Sequence, residues 1–481
     1  MNNRWDIHLW ARLIIPILLI PLLGISPRPH IISQIMVRAY YSINNDSPTE
    51  ISQKLIHLVD YLPWRYDLRE LTAIYSLEAD NPSMAIIHFR HLAEANRLSL
   101  ENQILMGDAA HMSDNLILAI GIWEASLNQG GPAIELLPRL YRSYQSLDDY
   151  PNQIKVLKSL IELFPSNTEY HYQLGLLLAI THPESALGYL LIASELDPSL
   201  TTAVQTIQRN FNSSLLIGDP VYTQMIIGQT MASLNEWRIA HETFNQVIQA
   251  RPDYADAWAF LGETQQQLGL DGYASIQKSL ELDPQSISGN TFMAVYWQRQ
   301  GRYDLAFVFL YAAAQTDPLN PVIKVEMGNT LAHLGDINVA LSYYLKATEL
   351  SPRDPTYWQA LARFSIIYDF DIKEYALSAT RQALFLDPED PVSLDLMGQI
   401  YIRLDDNYTA ERFLLRALEA DPDYAPAHLH LGFLHLLLGQ TRNAYYELTI
   451  ARTLAAPESP TASQANRLLQ SYFSDPIAEQ H

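Results

Sequence analysis

Between Pro321 and Pro352 the chain reads PVIKVEMGNTLAHLGDINVALSYYLKATELSP. Apolar residues recur at steps of three and four, first through Met327 and Leu331, then through Ala340, Tyr344 and Ala347. That spacing predicts two amphipathic helices. Leu334-Gly335-Asp336 separates them, and Gly335 stands where a helix end takes a left-handed residue, a conformation glycine adopts without a Cβ clash. Pro352 disfavours the helical conformation for Ser351 and so helps to end the second helix. The same phrase returns along the chain, closed by Pro165, Pro198, Pro252, Pro284, Pro318, Pro352, Pro388, Pro422 and Pro457. The steps are 32 to 36 residues, except one of 54 between Pro198 and Pro252. A fixed period in this range means stacked supersecondary units, each burying its apolar face against its neighbours.

The unit resembles the tetratricopeptide repeat, whose pattern asks for a large residue at position 4, Leu at 7, Gly or Ala at 8, Tyr at 11, Ala at 20, an aromatic at 24, Ala at 27 and Pro at 32. Residues 255–284 supply Trp258, Leu261, Gly262 and Ala274, and residues 287–318 supply Ala294, Ala306, Ala313 and Pro318. Residues 391–422 supply Leu394, Met397, Gly398, Tyr401, Ala410, Ala417 and Pro422, and residues 425–457 supply Leu431, Gly432, Ala444, Ala451 and Pro457. The resemblance implies an all-α, right-handed α-solenoid of about 10–12 helix pairs, of the membrane-anchored bacterial type. Of the 19 glycines, seven fall at position 8: Gly107, Gly175, Gly228, Gly262, Gly328, Gly398 and Gly432. Four more fall in the inter-helix turn, namely Gly269, Gly301, Gly335 and Gly439. Glycine within a helix costs about 1 kcal/mol against alanine, so its recurrence at one phase predicts close approach of two helices.

Ten units read clearly from residue 100 to 457, and two degenerate ones precede them at 32–63, with Ala39 and Pro63, and at 65–98. Ser47-Pro48-Thr49-Glu50 is a capping box with proline at the first helical position, which predicts a helix start. Residues 355–388 carry two extra residues near Tyr368–Asp371, placed in the turn. Residues 199–220 begin in repeat phase with Val204, Ile207 and Phe211, and stop at Gly218-Asp219-Pro220. They read as a first helix without its second, which makes either a joint near residue 210 or an insertion packed on the surface. The expected organisation is a hydrophobic membrane segment over 1–30, an N-terminal solenoid over 31–198, the odd helix over 199–220, a C-terminal solenoid over 221–457, and a capping helix with tail over 458–481.

Lys and Arg number 31 and Asp and Glu 53, a net charge of −22. That argues against a nucleic-acid partner, which needs a basic stripe. The chain has no cysteine, which excludes disulfides and thiolate metal sites. Residues 13–25 read LIIPILLIPLLGI, preceded by Arg4 and Arg12. This length suits a signal-peptide core or the short edge of a membrane span. Pro27 follows the only small-x-small triplet, Gly24-Ile25-Ser26, which disfavours cleavage. The expectation is a single-pass anchor in the cell membrane with the solenoid on the exocytoplasmic side; the alternative is secretion after cleavage.

Nothing along the chain carries a catalytic signature: there is no Walker loop, no nucleophile elbow and no Gly-x-Gly-x-x-Gly fingerprint. His428, His430 and His435 form the best metal-like cluster. In the repeat frame, however, His428 and His435 occupy positions 4 and 11 inside the unit, as core residues in place of Trp and Tyr, and no metal or cofactor is expected. By the resemblance, first helices line a concave groove, and position 9 reads Leu176, Gln229, Glu263, Val295, Asn329, Arg363, Gln399, Phe433. Gln229, Glu263, Asn329, Arg363 and Gln399 are therefore the groove candidates: amides can both donate to and accept from a peptide backbone, and Arg363 can fork onto a carboxylate. The carboxylate clamp of chaperone-binding family members is absent, since Val325 and Ala360 stand where it needs polar side chains. The reading is a non-enzymatic scaffold that binds a protein or peptide segment, with a solvated, unliganded concave face as the plain alternative. The rival function is an accessory subunit of an envelope enzyme or of a secretion or polysaccharide-export assembly.

Overall fold

Most turns within a helix pair are made by one residue in the left-handed region. Gly269, Gly301, Gly335 and Gly439 have φ of 77°, 70°, 89° and 71°. Asp80, Asp114, Asp148, Asn235 and Asp405 take the same conformation in five further turns, at φ between 52° and 62°. Asp and Asn tolerate this region better than other side chains do. The turn after Thr168–Thr181 is different: His182 alone, at φ −141°, joins it to the helix Pro183–Leu196.

The computed structural model describes residues 46–473. These residues form twenty-five α-helices and no strand. Eleven consecutive pairs run from Tyr66–Glu78 with Pro82–Glu94 to Ala425–Leu437 with Thr441–Leu454. The helices Pro48–Tyr61, Thr201–Leu215 and Pro460–Phe473 stand outside these pairs. Within a pair, first helix packs on second, and many first helices also pack on the first helix of the following pair. The first degenerate unit shows only its second helix, Pro48–Tyr61, closed at its start by the expected box: Ser47 N–H donates to Glu50 Oε2 at 3.2 Å and Glu50 N–H to Ser47 Oγ at 3.4 Å. The hydrophobic segment expected over 1–30 lies outside the described residues. Among the described residues no helix is long and apolar enough to cross a membrane.

The chain divides into two compact units between Gln205 and Thr206. In the first, Phe89, Leu157 and Leu190 are fully buried and Trp123 nearly so, one on each second helix. In the second, Phe244, Ile276, Leu310, Leu414 and Leu448 hold the same place. The recurring glycines explain the fit. A Cβ added at Gly107 would lie 2.2 Å from Trp123, at Gly228 2.7 Å from Phe244, at Gly328 2.9 Å from Tyr344, and at Gly432 2.8 Å from Leu448. Gly175 and Gly398 meet Leu190 and Leu414 in the same way, and Gly262 meets Ile276.

Two units depart from the common length. The pair Ala255–Gln267 and Tyr273–Leu282 is short, and Ala274, expected at the buried position 20, is exposed. Two residues are missing between Gly269 and the buried position, so the second helix starts late, at Tyr273, and is shifted in phase. Gly272 takes the buried place, where a Cβ would lie 2.0 Å from the Gly262 carbonyl oxygen. The pair Pro355–Ile367 and Leu377–Leu386 is long by two. The extra residues do not stay in the turn: Asp369 and Asp371 both have positive φ, and a π-turn over Ile372–Ala376 takes up the excess. Ala376 is thereby returned to full burial.

Candidate functional site

The five groove candidates all lie on first helices: Gln229 on Pro220–Ser233, Glu263 on Ala255–Gln267, Asn329 on Pro321–His333, Arg363 on Pro355–Ile367 and Gln399 on Pro391–Arg403. Side-chain caps fix where four of these helices begin, and Ala255–Gln267 begins without one. Asn320 Oδ1 accepts from the Val322 amide at 3.0 Å, Asp354 Oδ1 from Thr356 at 2.9 Å and Asp390 Oδ2 from Ser393 at 2.6 Å. An oxygen here satisfies amides that have no helical partner. Each cap thus sets the phase at which position 9 points.

A second tie sets the spacing between units. Trp258 Nε1 donates to the Pro252 carbonyl at 2.8 Å and Trp358 Nε1 to the Pro352 carbonyl at 3.0 Å. Asn290 and His428 reach Pro284 and Pro422 in the same way, each at 3.0 Å. The repeat-end proline therefore also presents a carbonyl to position 4 of the next unit. At His428 the other ring nitrogen, Nδ1, stands 2.6 Å from Glu447 Oε2. Both nitrogens face acceptors, which favours the doubly protonated ring. Burial opposes that charge, but Glu447 and the Pro422 carbonyl outweigh it and hold the His428 pKa above its ordinary value. This histidine is committed to joining helices. His435 is buried, with its Nδ1 unpartnered.

The candidates have different fates. Glu263 is nearly buried and its carboxylate is consumed: Arg299 of the next first helix forks onto it at 2.7 and 2.9 Å, and Gln267 donates at 2.7 Å. Gln229 lines neither of the concavities described below. Asn329 is engaged at both ends of its amide, its Oδ1 accepting from the Tyr344 hydroxyl and its Nδ2 donating to Glu326 Oε1 at 3.4 Å. Burial, with Glu326 nearby, raises the Tyr344 phenol above its ordinary pKa and keeps it a donor. Arg363 is exposed and makes no ion pair among the described residues. Gln399 Nε2 donates to Asp395 Oδ2 at 3.0 Å, and Asp395 Oδ1 stands 2.6 Å from His430 Nδ1.

Asn329 and Arg363 are brought together. They line a concavity of about 410 Å³ with His333, Tyr344, Gln359 and Ile367. Gln399 lines a second one, of about 540 Å³, with Ile367, Arg403, Phe433, Arg467 and Leu468. Ile367 borders both, so the two adjoin each other along the second unit. Sequence reasoning missed Arg403, Arg467 and Leu468. The last two sit on Pro460–Phe473, which is outside the repeat pattern and was legible only as a cap. The first unit has its own concavity of about 540 Å³, where Arg139 forks onto Asp108 at 2.7 and 3.1 Å beside His111, Trp123 and Arg142. Among the described residues no cluster of His, Asp and Glu is arranged to hold a metal ion.

Family models for the tetratricopeptide repeat match residues 298–364 and 393–424, so those segments are tetratricopeptide repeats. Tetratricopeptide repeat protein 6 of Homo sapiens is 25% identical over 203 residues, 40% of this chain and 37% of that protein. The peroxisomal targeting signal receptor of Saccharomyces cerevisiae is 25% identical over 227 residues, 44% of this chain and 36% of the receptor. The chain thus spans little more than a third of the length of these relatives. Among solved structures, the APC/C hetero-tetramer Cut9-Hcn1 aligns over 93% of this chain and 98% of that one, at 15% identity and a TM-score of 0.44.

Proposed function

We propose that the protein is a non-enzymatic scaffold that holds an extended or helical segment of a partner protein along the first helices of its second unit. The observation that carries this reading is the pair of adjoining concavities, with Ile367 in the wall of both. Successive first helices carry the amide of Asn329, the guanidinium of Arg363, which has no ion pair among the described residues, and the amide of Gln399 in the walls of these concavities, together with apolar Ile367 and Phe433. Such a surface can hydrogen-bond a backbone and bury side chains together, which is what peptide recognition needs. We further propose that the hydrophobic segment at 1–30 tethers the chain to the cell membrane with the repeats outside the cytoplasm. Residues 199–220 would serve as the joint between two solenoid parts.

The test is crosslinking in cells, detergent extraction and mass spectrometry of what co-purifies, with an Arg363→Glu, Gln399→Ala variant beside the native chain. A partner held by the native chain and lost by the variant supports the groove. A partner kept by both moves the interface elsewhere. Protease treatment of intact cells tests the tether, and full protection of the repeats would count against the external placement.

One observation favours the accessory-subunit reading. Second helices of the same unit expose large apolar side chains: Val308 and Tyr311, and further on Val339, Phe385, Tyr408 and Tyr446, the last four at 50%, 78%, 73% and 63%. An obligate contact on that face would resist high salt, whereas a polar groove would release its partner.

A further inference from the structure

Resting on the groove reading, we propose that the C-terminal concavity of the second unit selects an acidic segment: a bulky apolar side chain flanked, within the partner's chain, by Asp or Glu side chains. The charge balance here is opposite to that of the chain. Carboxylates outnumber Lys and Arg 53 to 31, yet the lining of this concavity contains Arg403, Arg467 and His430 and no carboxylate side chain. The one carboxylate behind it, Asp395, is 3% exposed, and both its oxygens are engaged by His430 and Gln399. It tethers the floor and presents no free acceptor.

The arginines are available. Arg467 is exposed and has no ion pair among the described residues, and neither has Arg363 at the far side of Ile367. Arg403 has only Asp369, at 3.7 Å, a carboxylate that is 77% exposed. Such a pair is weak and easily exchanged for a partner's carboxylate. A guanidinium prefers a carboxylate to a neutral acceptor because two N–H groups can fork onto two oxygens.

The apolar half of the preference comes from the walls. Ile367, Phe433 and Leu437 remain 64%, 37% and 55% exposed around the concavity, with Leu468 beside them. A volume of about 540 Å³ admits one or two large side chains. A basic or neutral segment would bury the arginines without pairing them, which is costly. An acidic one neutralises them while its apolar residue covers the walls.

The test uses the full chain in mild detergent and fluorescent ten-residue probes, capped at both ends so that only side chains carry charge. One probe places Leu and Phe between Asp and Glu residues. Its companions replace the acids by Asn and Gln, replace them by Lys, or replace Leu and Phe by Ser. The expected result is binding of the acidic apolar probe that weakens steeply as salt rises from about 0.1 M to about 1 M, where the screening length falls from about 10 Å to about 3 Å. Each companion should bind at least about tenfold more weakly. Arg403→Glu with Arg467→Glu should cost the probe at least about tenfold, while Arg412→Glu with Arg442→Glu, the same charge change on two second helices, should leave it unchanged within about twofold. Unaltered melting of the double variant would separate this loss from unfolding. Equal binding of acidic and amide probes overturns the proposal. So does self-association of the native chain that the double variant abolishes, which would make a second copy the occupant. If the acidic probe fails but Arg363→Glu, Gln399→Ala still releases the cellular partner, the chemistry assigned here is wrong and the groove stands. If that partner is kept, the groove reading falls with it.

Discussion

Replacing Gly328 by leucine tests the packing rule and its link to the site together. A Cβ at this position would stand 2.9 Å from Tyr344 Cε2 and 3.0 Å from Cδ2, before the rest of the side chain is added. Tyr344 cannot swing aside: it is 3% exposed and stacks on Phe364 with ring centroids 4.6 Å apart. Overpacking of this kind costs about 1–3 kcal/mol. Moving the ring also breaks the bond from its hydroxyl to Asn329, a loss of about 1 kcal/mol. Against this, leucine is a better helix former than glycine by somewhat under 1 kcal/mol, roughly cancelling the lost bond. The net loss is about 1–3 kcal/mol, so amide exchange in Pro321–His333 and Ile337–Leu350 should speed up by about 5- to 150-fold. Local exchange is the right assay because a long repeat array does not unfold in one step. Exchange in Thr441–Leu454 should not change. Unaltered exchange in the two helices flanking the glycine would falsify the packing account.

Other glycines should respond in the opposite sense or for another reason. Gly188 lies inside Pro183–Leu196 with nothing within 4 Å of an added Cβ, so Gly188→Ala should slow exchange in that helix, worth about 1 kcal/mol. Gly335, at φ 89°, should lose about 1 kcal/mol or more as alanine but far less as asparagine, the residue the chain itself uses at Asn235; thermal melts of the two variants should rank accordingly. His428 has a raised pKa from Glu447 and the Pro422 carbonyl, against burial. Its contribution is therefore complete below the unfolded value of about 6.5 and fades as pH climbs through the higher folded value. Exchange in Ala425–Leu437 should quicken over that window in the native chain, and Glu447→Gln should flatten the dependence. Glu263→Gln breaks the fork from Arg299, which is 37% exposed; the solvated partner limits the loss to about 1 kcal/mol, read as faster exchange in Ala255–Gln267 and Ile287–Arg299.

The period was legible because glycine and proline mark it, and each does something only it does well. Glycine at position 8 leaves room for Trp123, Phe244 or Tyr344, and proline ends a helix. Other parts of the pattern are degenerate. The left-handed turn residue is glycine in four turns but Asp or Asn in six others, Asp369 among them, so counting glycines found fewer than half. Position 4 bonds the preceding proline carbonyl through an indole, an imidazole or an amide. It is conserved in chemistry within the chain while varying in name. The misplaced Ala274 shows the remaining weakness. Counting forward from Gly262 ignored that a two-residue loss in the turn moves every later position, and burial selects Gly272 instead.

The site was less legible than the fold for a reason the groove candidates expose. A polar residue at position 9 can do two things. It can tie its helix to the next first helix, as Glu263 does through Arg299, or it can stay exposed with no ion pair among the described residues, as Arg363 does. The position is the same in both units, so the repeat frame alone cannot separate them. What separates them is whether a complement stands one unit on. Arg299 supplies it for Glu263 and His430 supplies it for Asp395, whereas among the described residues no carboxylate one unit on pairs with Arg363. A tie between units is internal stability; an unmatched charge at the same position is binding capacity left over. By that criterion the recognition surface we propose for the second unit is centred on Arg363, Arg403 and Arg467, and the acidic ties at Glu263 and Asp395 hold neighbouring first helices together.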